Sequence, residues 1–307
     1  MSFLVIGECV ADIVRAADGT ERIHPGGSPA NVAYGLARLG RDVTLLTQLA
    51  DDPTGRLIAD HLEGAGVRVA IGGVPARTPS AIVGLDARGG ATYAFDIAWT
   101  LEAGEPPAER PGHVHIGSIA AVTAPGAATV LAEVERLRDR ATVSYDPNVR
   151  PGLMGEHGAA VARVERCVAL SDLVKASDED LAWLYPGESA ESVAARWLAL
   201  GPAVVLVTRG AEGSLALTGR ETVTAVAPPV AVVDTVGAGD SFMSAVLDAL
   251  AGRETFDGLG ADDLAELLRG AGAAAAVTVS RAGAQPPDRA ELDAAGERFA
   301  LRSGRAS

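Results

Sequence analysis

Lysine is all but absent from this chain of 307 residues, in which Lys175 is the single example. A Walker A loop, a protein-kinase strand lysine and a Schiff-base mechanism each need a lysine inside a specific motif, and "DLVKASDE" around Lys175 fits none of them. Cysteine is nearly as scarce. Cys9 and Cys167 stand too far apart in sequence for a disulfide framework or a zinc site, so a reduced, cytoplasmic setting is the default expectation. Long apolar runs are missing too: "FLVIG" is too short for a secretory signal and runs into Glu8, and nothing approaches membrane-spanning length. Basic charge is in deficit, with 26 Lys and Arg against 40 Asp and Glu and a formal net charge of −14. That balance argues against nucleic acid or an anionic membrane as a partner, since either needs a basic face.

What is present is a steady alternation. Short apolar runs at Phe3–Ile6, Val43–Thr47, Val114–Ile116, Thr142–Tyr145, Leu173–Lys175 and Val204–Thr208 read as strands. Helix-periodic segments lie between them, at Ala30–Leu39, Gly126–Arg138, Ala159–Leu170 and Ser192–Leu200. Strand followed by helix, repeated, predicts a doubly wound α/β fold with a mostly parallel sheet, in one domain spanning 1–307. Residues 9–24 and 72–103 break the rhythm and read as short strands with turns, "ARGG" being a hairpin turn. A small sheet built from these insertions suits a lid that excludes water from a ligand crevice. The Ala-rich "GAGAAAAVTV" reads as a tightly packed helix running into a strand.

Two glycine-rich stretches carry the chemistry. In "HPGGSPANVAYGLARLG" Ser28 reads as an N-cap, Pro29 as the first helical position, and Val32, Leu36 and Leu39 as the buried stripe ended by Gly40. In "DTVGAGDSFMSAVLDAL" the turn Gly237-Ala238-Gly239 opens an apolar helix, and its N–H groups at the positive helix end suit a phosphate or a developing oxyanion. Asp240 then sits where a modest base could take a hydroxyl proton, which is enough for phosphoryl transfer through a loose transition state. "GGSPA" lacks the last glycine of a nucleophile elbow, and "GAGDSF" lacks the third glycine of a dinucleotide fingerprint. An NAD-binding oxidoreductase of Rossmann type is the alternative to phosphoryl transfer. His113 and His115 alternate on one strand face, without further histidines placed to complete a metal site. Trp99, Trp183 and Trp197 read as packing residues, with Trp99 placed to touch a substrate from the lid.

Taken together, the two stretches strongly resemble the signatures of the PfkB, or ribokinase-like, family of sugar kinases. The likeness extends over nearly the whole chain, through "VIGECVAD", "SYDPNVR", "KASDED", "VTRGAEGS" and "VSRAGAQPP". It implies a Rossmann-like core with a β-lid, Mg-ATP as phosphoryl donor, and triphosphate binding without a Walker A lysine. Carried over by position, it makes Asp240 the base, the backbone of Gly237, Ala238 and Gly239 the anion hole, and Arg150 a neighbour of the phosphoryl path or sugar. Asp12, Gly26, Gly27 and Asn31 match sugar-binding positions. Lys175, Ser177, Asp180, Thr208, Gly210 and Gly213 fall on the nucleotide side. Ser177 and Asp180 replace the Asn-x-x-Glu that organises magnesium in many relatives. Asp234, Ser280 and Gly283 match a monovalent-cation site, K+ in this family, with carbonyls as most of its ligands. "DPNVRP" and "KASDED" look most like the fructokinase branch, which implies fructose, with ribose, 2-keto-3-deoxygluconate or a nucleoside as alternatives. "YAFDIAWTLEAGE" in the lid departs from the fructokinase pattern. The expected partners are a small sugar and ATP, and the family resemblance allows a homodimer packed through the lid.

Overall fold

A computed structural model describes residues 1–15, 20–85, 91–102 and 110–303. The chain opens with strand β1 (Ser2–Ile6) and passes through Gly7, Glu8 and Cys9 into β2 (Val10–Arg15); β3 (Glu21–Gly26) leads back to helix α1 (Ser28–Arg38). Next come β4 (Asp42–Thr47), α2 (Pro53–Gly64), β5 (Arg68–Ile71), and the strands β6 (Ser80–Leu85) and β7 (Ala91–Asp96). The middle of the chain runs β8 (His113–Gly117), α3 (Gly126–Leu137), β9 (Thr142–Asp146), α4 (Pro151–Met154), α5 (His157–Ala169), β10 (Leu173–Ser177), α6 (Asp178–Leu184), α7 (Ala190–Leu198) and β11 (Val204–Thr208). It closes with β12 (Ser214–Leu217), β13 (Thr222–Ala225), α8 (Ala238–Ala249), α9 (Ala261–Val279) and α10 (Arg289–Ser303).

These strands form two sheets. The large one has the order β13-β12-β11-β10-β9-β8-β1-β4-β5, parallel except that β12 runs antiparallel to both its neighbours, β11 and β13. The small one has the order β3-β2-β6-β7 and is the sheet expected from the two insertions. Its β6 and β7 pair antiparallel, while the "ARGG" turn lies outside the described residues. Along β1 the side chains alternate: Phe3 and Val5 pack with buried residues of α1, α8 and α9, and Leu4 and Ile6 with those of α3, α5 and α7. Helices therefore cover both faces; α1 buries a stripe that includes Val32 and Leu36, whereas α8 is buried on all sides from Asp240 to Asp248.

This winding places the site. The chain leaves β1 toward β4 and β5, then returns to build β8 to β11 on the other side, so β1 and β8 flank a switch point. Open α/β sheets bind ligands at the carboxyl ends of the strands beside such a point. Glu8 and Ser118 follow the ends of β1 and β8 there, and the Ala120 N–H donates to Glu8 Oε2 at 3.2 Å across the gap.

Three local expectations need correction. The Ala-rich run does not enter a strand: α9 continues to Val279, because Thr278 Oγ1 returns to the Ala274 carbonyl at 3.0 Å and the helix packs on α8. Ser28 is not the N-cap of α1; Gly27 takes that place at φ 100°, and the Ser28 hydroxyl is used elsewhere. Trp99 touches no cleft: it is buried, and its Nε1 donates to the Ala120 carbonyl at 3.0 Å, whereas Trp183 lines the cleft. His113 and His115 are buried polar packing. They share Ser144 Oγ at 2.8 and 2.9 Å, and burial pushes both imidazoles down to about 3. Among the described residues no three His, Cys, Asp or Glu side chains converge to hold a metal, and no helix is long and apolar enough to cross a membrane.

Candidate functional site

A cleft of about 720 Å³ runs along the carboxyl ends of the large sheet, between it and the small one. Asp240 stands in its wall, in the first turn of α8. Gly237 starts that helix at φ 75°, a left-handed conformation that disfavours other residues, and a Cβ there would lie 2.6 Å from that of Ala284. Both Asp240 oxygens are held from α1. Ser28 Oγ donates to Oδ1 at 2.6 Å and Asn31 Nδ2 donates to Oδ2 at 2.8 Å. The two glycine-rich stretches of the sequence thus meet at one carboxylate. Gly237, Ala238 and Gly239 line the cleft beside it, at the positive end of the helix.

One end of the cleft is acidic and belongs to the small sheet. Asp12 sits on β2 opposite His24 of β3, and its carboxylate lies where a Cβ on Gly26 would be. Burial raises Asp12 to about 6, against the pull of the Arg150 and His24 charges. Glu8 is more enclosed, and burial raises it to about 7 although Ser118 and the Ala120 amide bond to it. Gly27 packs against the Glu8 carbonyl with no space for a side chain. Arg150 borders this end, but its Nη1 folds onto its own loop, 2.9 Å from Asn148 Oδ1 and 3.0 Å from the Val149 carbonyl.

The other end lies over β10 and β11. Ser177 caps α6 by accepting from the Asp180 N–H at 3.0 Å, and Asp180 Oδ2 accepts from the Ser177 N–H at 2.9 Å. Asp180 Oδ1 takes the Val149 N–H at 2.7 Å, so this carboxylate ties α6 to the loop after β9. Lys175 is buried beneath them, its Nζ 2.6 Å from Asp146 Oδ2. Thr208 and Gly210 open into a second, mostly apolar pocket of about 480 Å³, lined also by Gly213, Val226, Pro228 and Ala276. The two cavities share Thr235, Ala238 and Gly239, so Asp240 stands close to their junction.

Asp234, Ser280 and Gly283 come together behind this junction. Asp234 accepts the Gly283 N–H at 2.8 Å and the Val236 N–H at 3.1 Å, and these bonds hold it below the usual carboxylate range. The Ser280 hydroxyl turns back to the Val277 carbonyl at 2.7 Å, so carbonyls rather than that hydroxyl are left for a cation.

Reading the sequence missed Glu8, Ser28, Ser118 and Asp146. Ser28 was visible but looked like a helix cap. The other three follow strand ends or close one, and their part in the site depends on which strands become neighbours. One signal was available: the only lysine in the chain falls in an apolar strand and therefore needs a buried anion.

The pfkB family carbohydrate kinase model matches residues 2–291. A fructokinase of Klebsiella pneumoniae is 34% identical over 266 residues, covering 84% of this chain and 87% of that protein. Among solved structures, a double-mutant fructokinase from Vibrio cholerae O395, in fructose, ADP and potassium ion bound form, superposes with a TM-score of 0.81 at 27% identity, covering 97% of both chains. Aminoimidazole riboside kinase from Salmonella enterica, complexed with aminoimidazole riboside and an ATP analog, gives 0.80 at 25% identity, covering 96% of this chain and 100% of that one. With two signature stretches meeting at Asp240 on a ribokinase-like framework, the chain belongs to the pfkB family of carbohydrate kinases.

Proposed function

We propose that this carbohydrate kinase transfers the γ-phosphoryl group of ATP to a primary hydroxyl of a sugar, with fructose as the first choice. The observation that carries the reading is the position of Asp240. It is held at both oxygens and stands between an acidic, hydroxyl-binding end and an apolar pocket of the size and character that a nucleobase needs. Asp12 and Glu8 offer acceptors to sugar hydroxyls. Thr208, Gly210 and Gly213 border the nucleotide. Asp240 takes the hydroxyl proton as the new P–O bond forms, and Ser28 and Asn31 keep its oxygens aimed. The N-terminal turn of α8 stabilises the charge on the transferring group, and Arg150 is placed to swing from its loop toward it.

Magnesium fits as an ion carried mainly by the phosphates, because no all-protein cage exists among the described residues and Asp178, Glu179 and Asp180 offer hard oxygen at the cleft edge. When bound, it would neutralise phosphate charge. The loop of Asp234 and Gly283 suits a monovalent cation such as K+, held by carbonyls near the start of α8. The small sheet acts as a lid over the acidic end, made from insertions 9–24 and 72–103 of a single domain. A homodimer packed through that lid belongs to the same reading, and its test is the oligomeric state in solution.

Within the family, a riboside or nucleoside is the main rival substrate, supported by the likeness to aminoimidazole riboside kinase. Ribose and 2-keto-3-deoxygluconate are the further alternatives. Substrate-dependent ADP release across a panel of fructose, ribose, 2-keto-3-deoxygluconate and nucleosides tests the reading, with absorbance of a nicotinamide cofactor as the control. ADP release with fructose strongest is the expected result. Release only with a nucleoside would replace the substrate, and a nicotinamide signal alone would replace the chemistry.

A further inference from the structure

The cleft that would receive a polyanion is itself acidic. Its lining carries the carboxylates of Glu8, Asp12, Asp178, Glu179, Asp180 and Asp240, and among the described residues only two cations, Arg150 and Lys175. Arg150 is engaged with its own loop. Lys175 is in a different position. Its side chain is 5% exposed, and Asp146, wholly buried, is its one acceptor among the described residues at 2.6 Å. An ammonium has three N–H donors, so two are left over. Asp146 Oδ1 likewise has no partner. The pair is therefore incomplete on both sides, which is costly at such depth unless something else completes it.

Above Nζ lies the first turn of α8. A Cβ placed on Gly239 would be 3.0 Å from Lys175 Nζ. Gly239 is not among the positive-φ glycines, so its backbone conformation is open to other residues. What position 239 supplies is an open window between the ammonium and the cleft. Composition points the same way. The chain has 26 Lys and Arg, and since Lys175 is the sole lysine, every other one is arginine. Arginine supplies the positive charge at the surface, and among the described residues the buried Lys or Arg is the lysine. A compact point charge on a thin stem fits under a helix turn where a planar guanidinium does not. Desolvation opposes the charge, yet Asp146 raises the ammonium above its usual range, so it remains protonated.

We infer that Lys175 supplies the fixed positive charge for the transferring phosphoryl group, reaching its oxygens through the side-chain-free position of Gly239, and that Asp146 is the positioning residue that aims it. This deepens the kinase reading and rests on it. No covalent step passes through Lys175; it lends two N–H donors and keeps its proton. The role is that of a Walker lysine delivered from beneath the anion-binding turn instead of from a glycine-rich loop.

A single lysine makes the test unusually clean, because 13Cε-lysine labelling of the full chain gives one side-chain signal. ADP alone should move that signal little, and ADP with magnesium and aluminium fluoride, a mimic of the transferring phosphoryl group, should move it clearly further. An unmoved signal, or equal shifts for both, overturns the inference. Lys175→Met is expected to lose both thermal stability and turnover, because Asp146 is left unpaired. Lys175→Met combined with Asp146→Asn buries no lone charge, and should recover the melting temperature while kcat stays about a hundredfold low with the sugar KM unchanged. Recovery of wild-type kcat by the double variant would make the pair purely structural. If the wild type phosphorylates no sugar in the panel, the substrate reading fails, and the lysine signal still decides this inference without sugar.

Discussion

Ser28 Oγ lies 2.6 Å from Asp240 Oδ1, across the packed interface of α1 and α8. A serine just inside a helix start would ordinarily cap it, but here Gly27 does so by conformation and frees the hydroxyl for the carboxylate. Asp240→Asn is therefore expected to lower kcat by about a hundredfold or more, the scale of general-base catalysis, while nucleotide binding persists. Ser28→Ala should cost about tenfold, since Asn31 still holds the other oxygen. Steady-state kinetics at saturating sugar decides both, and near wild-type turnover by the Asn variant would exclude Asp240 as the base.

Gly26 should be as sensitive as Asp12. A methyl at 26 occupies the place of the Asp12 carboxylate, so Gly26→Ala pushes that group out of the cleft. Asp12→Ala is expected to cost about 2–4 kcal/mol in kcat/KM for the sugar, by loss of charged hydrogen bonds. Gly26→Ala should raise the sugar KM in the same direction, with ATP affinity measured without sugar unaltered in both. Calorimetric loss of ATP binding with sugar binding intact would reverse the assignment of the two ends.

Glu8 gives a pH signature. Its carboxyl is raised to about 7 by burial, above the value of 4.5 that it has in water, so between these the folded chain binds more protons than the unfolded one. Stability then falls as pH rises through that window, opposite in sign to a salt-bridged acid. Glu8→Gln keeps the shape and removes the titration. It should be close to neutral at pH 4, and stabilising by on the order of 2–3 kcal/mol at pH 8, read from denaturant midpoints at the two pH values. A constant difference across the range would mean that Glu8 titrates alike in the folded and unfolded chain, and would overturn the raised value.

Among the described side chains the small sheet contributes little to the buried clusters, Ala11 at its root with Ile13 and Ile23 partly buried against them. It shares no strand with the large sheet. Hydrogen exchange over 9–24 and 72–103 should slow when sugar binds, with little change in β8 to β11. Equal protection with and without sugar speaks against a lid.

The α/β framework was legible because buried parallel strands are written as short apolar runs, and the segments between them, such as α1, α3 and α5, carry apolar residues at helical spacing. The small sheet was legible as a break in that pattern. Val277, Thr278 and Val279 misled because β-branched residues favour strands in isolation, while packing on α8 and the Thr278 back-bond decide for helix. Asp240 stood out from its glycines. Asp146 did not, since "SYDPNVR" shows an aspartate ending a strand and says nothing of a lysine 29 residues later on the neighbouring one. Pairings of that kind arise from strand order and are invisible until the order is known.

The two crossings between the sheets also set limits on change. At the first, a side chain on Gly7 would run into the Pro29 ring; at the second, one on Gly27 would run into the Glu8 carbonyl, with Cys9 Cα at 3.2 Å. Each crossing fills the space the other would need to enlarge, so they work as a single joint with no tolerance for an added methyl. A mutational library aimed at new substrates will find its gains farther out, at Asp12, His24 or Phe95. Variants at the joint itself will be lost as unfolded protein before their specificity can be measured.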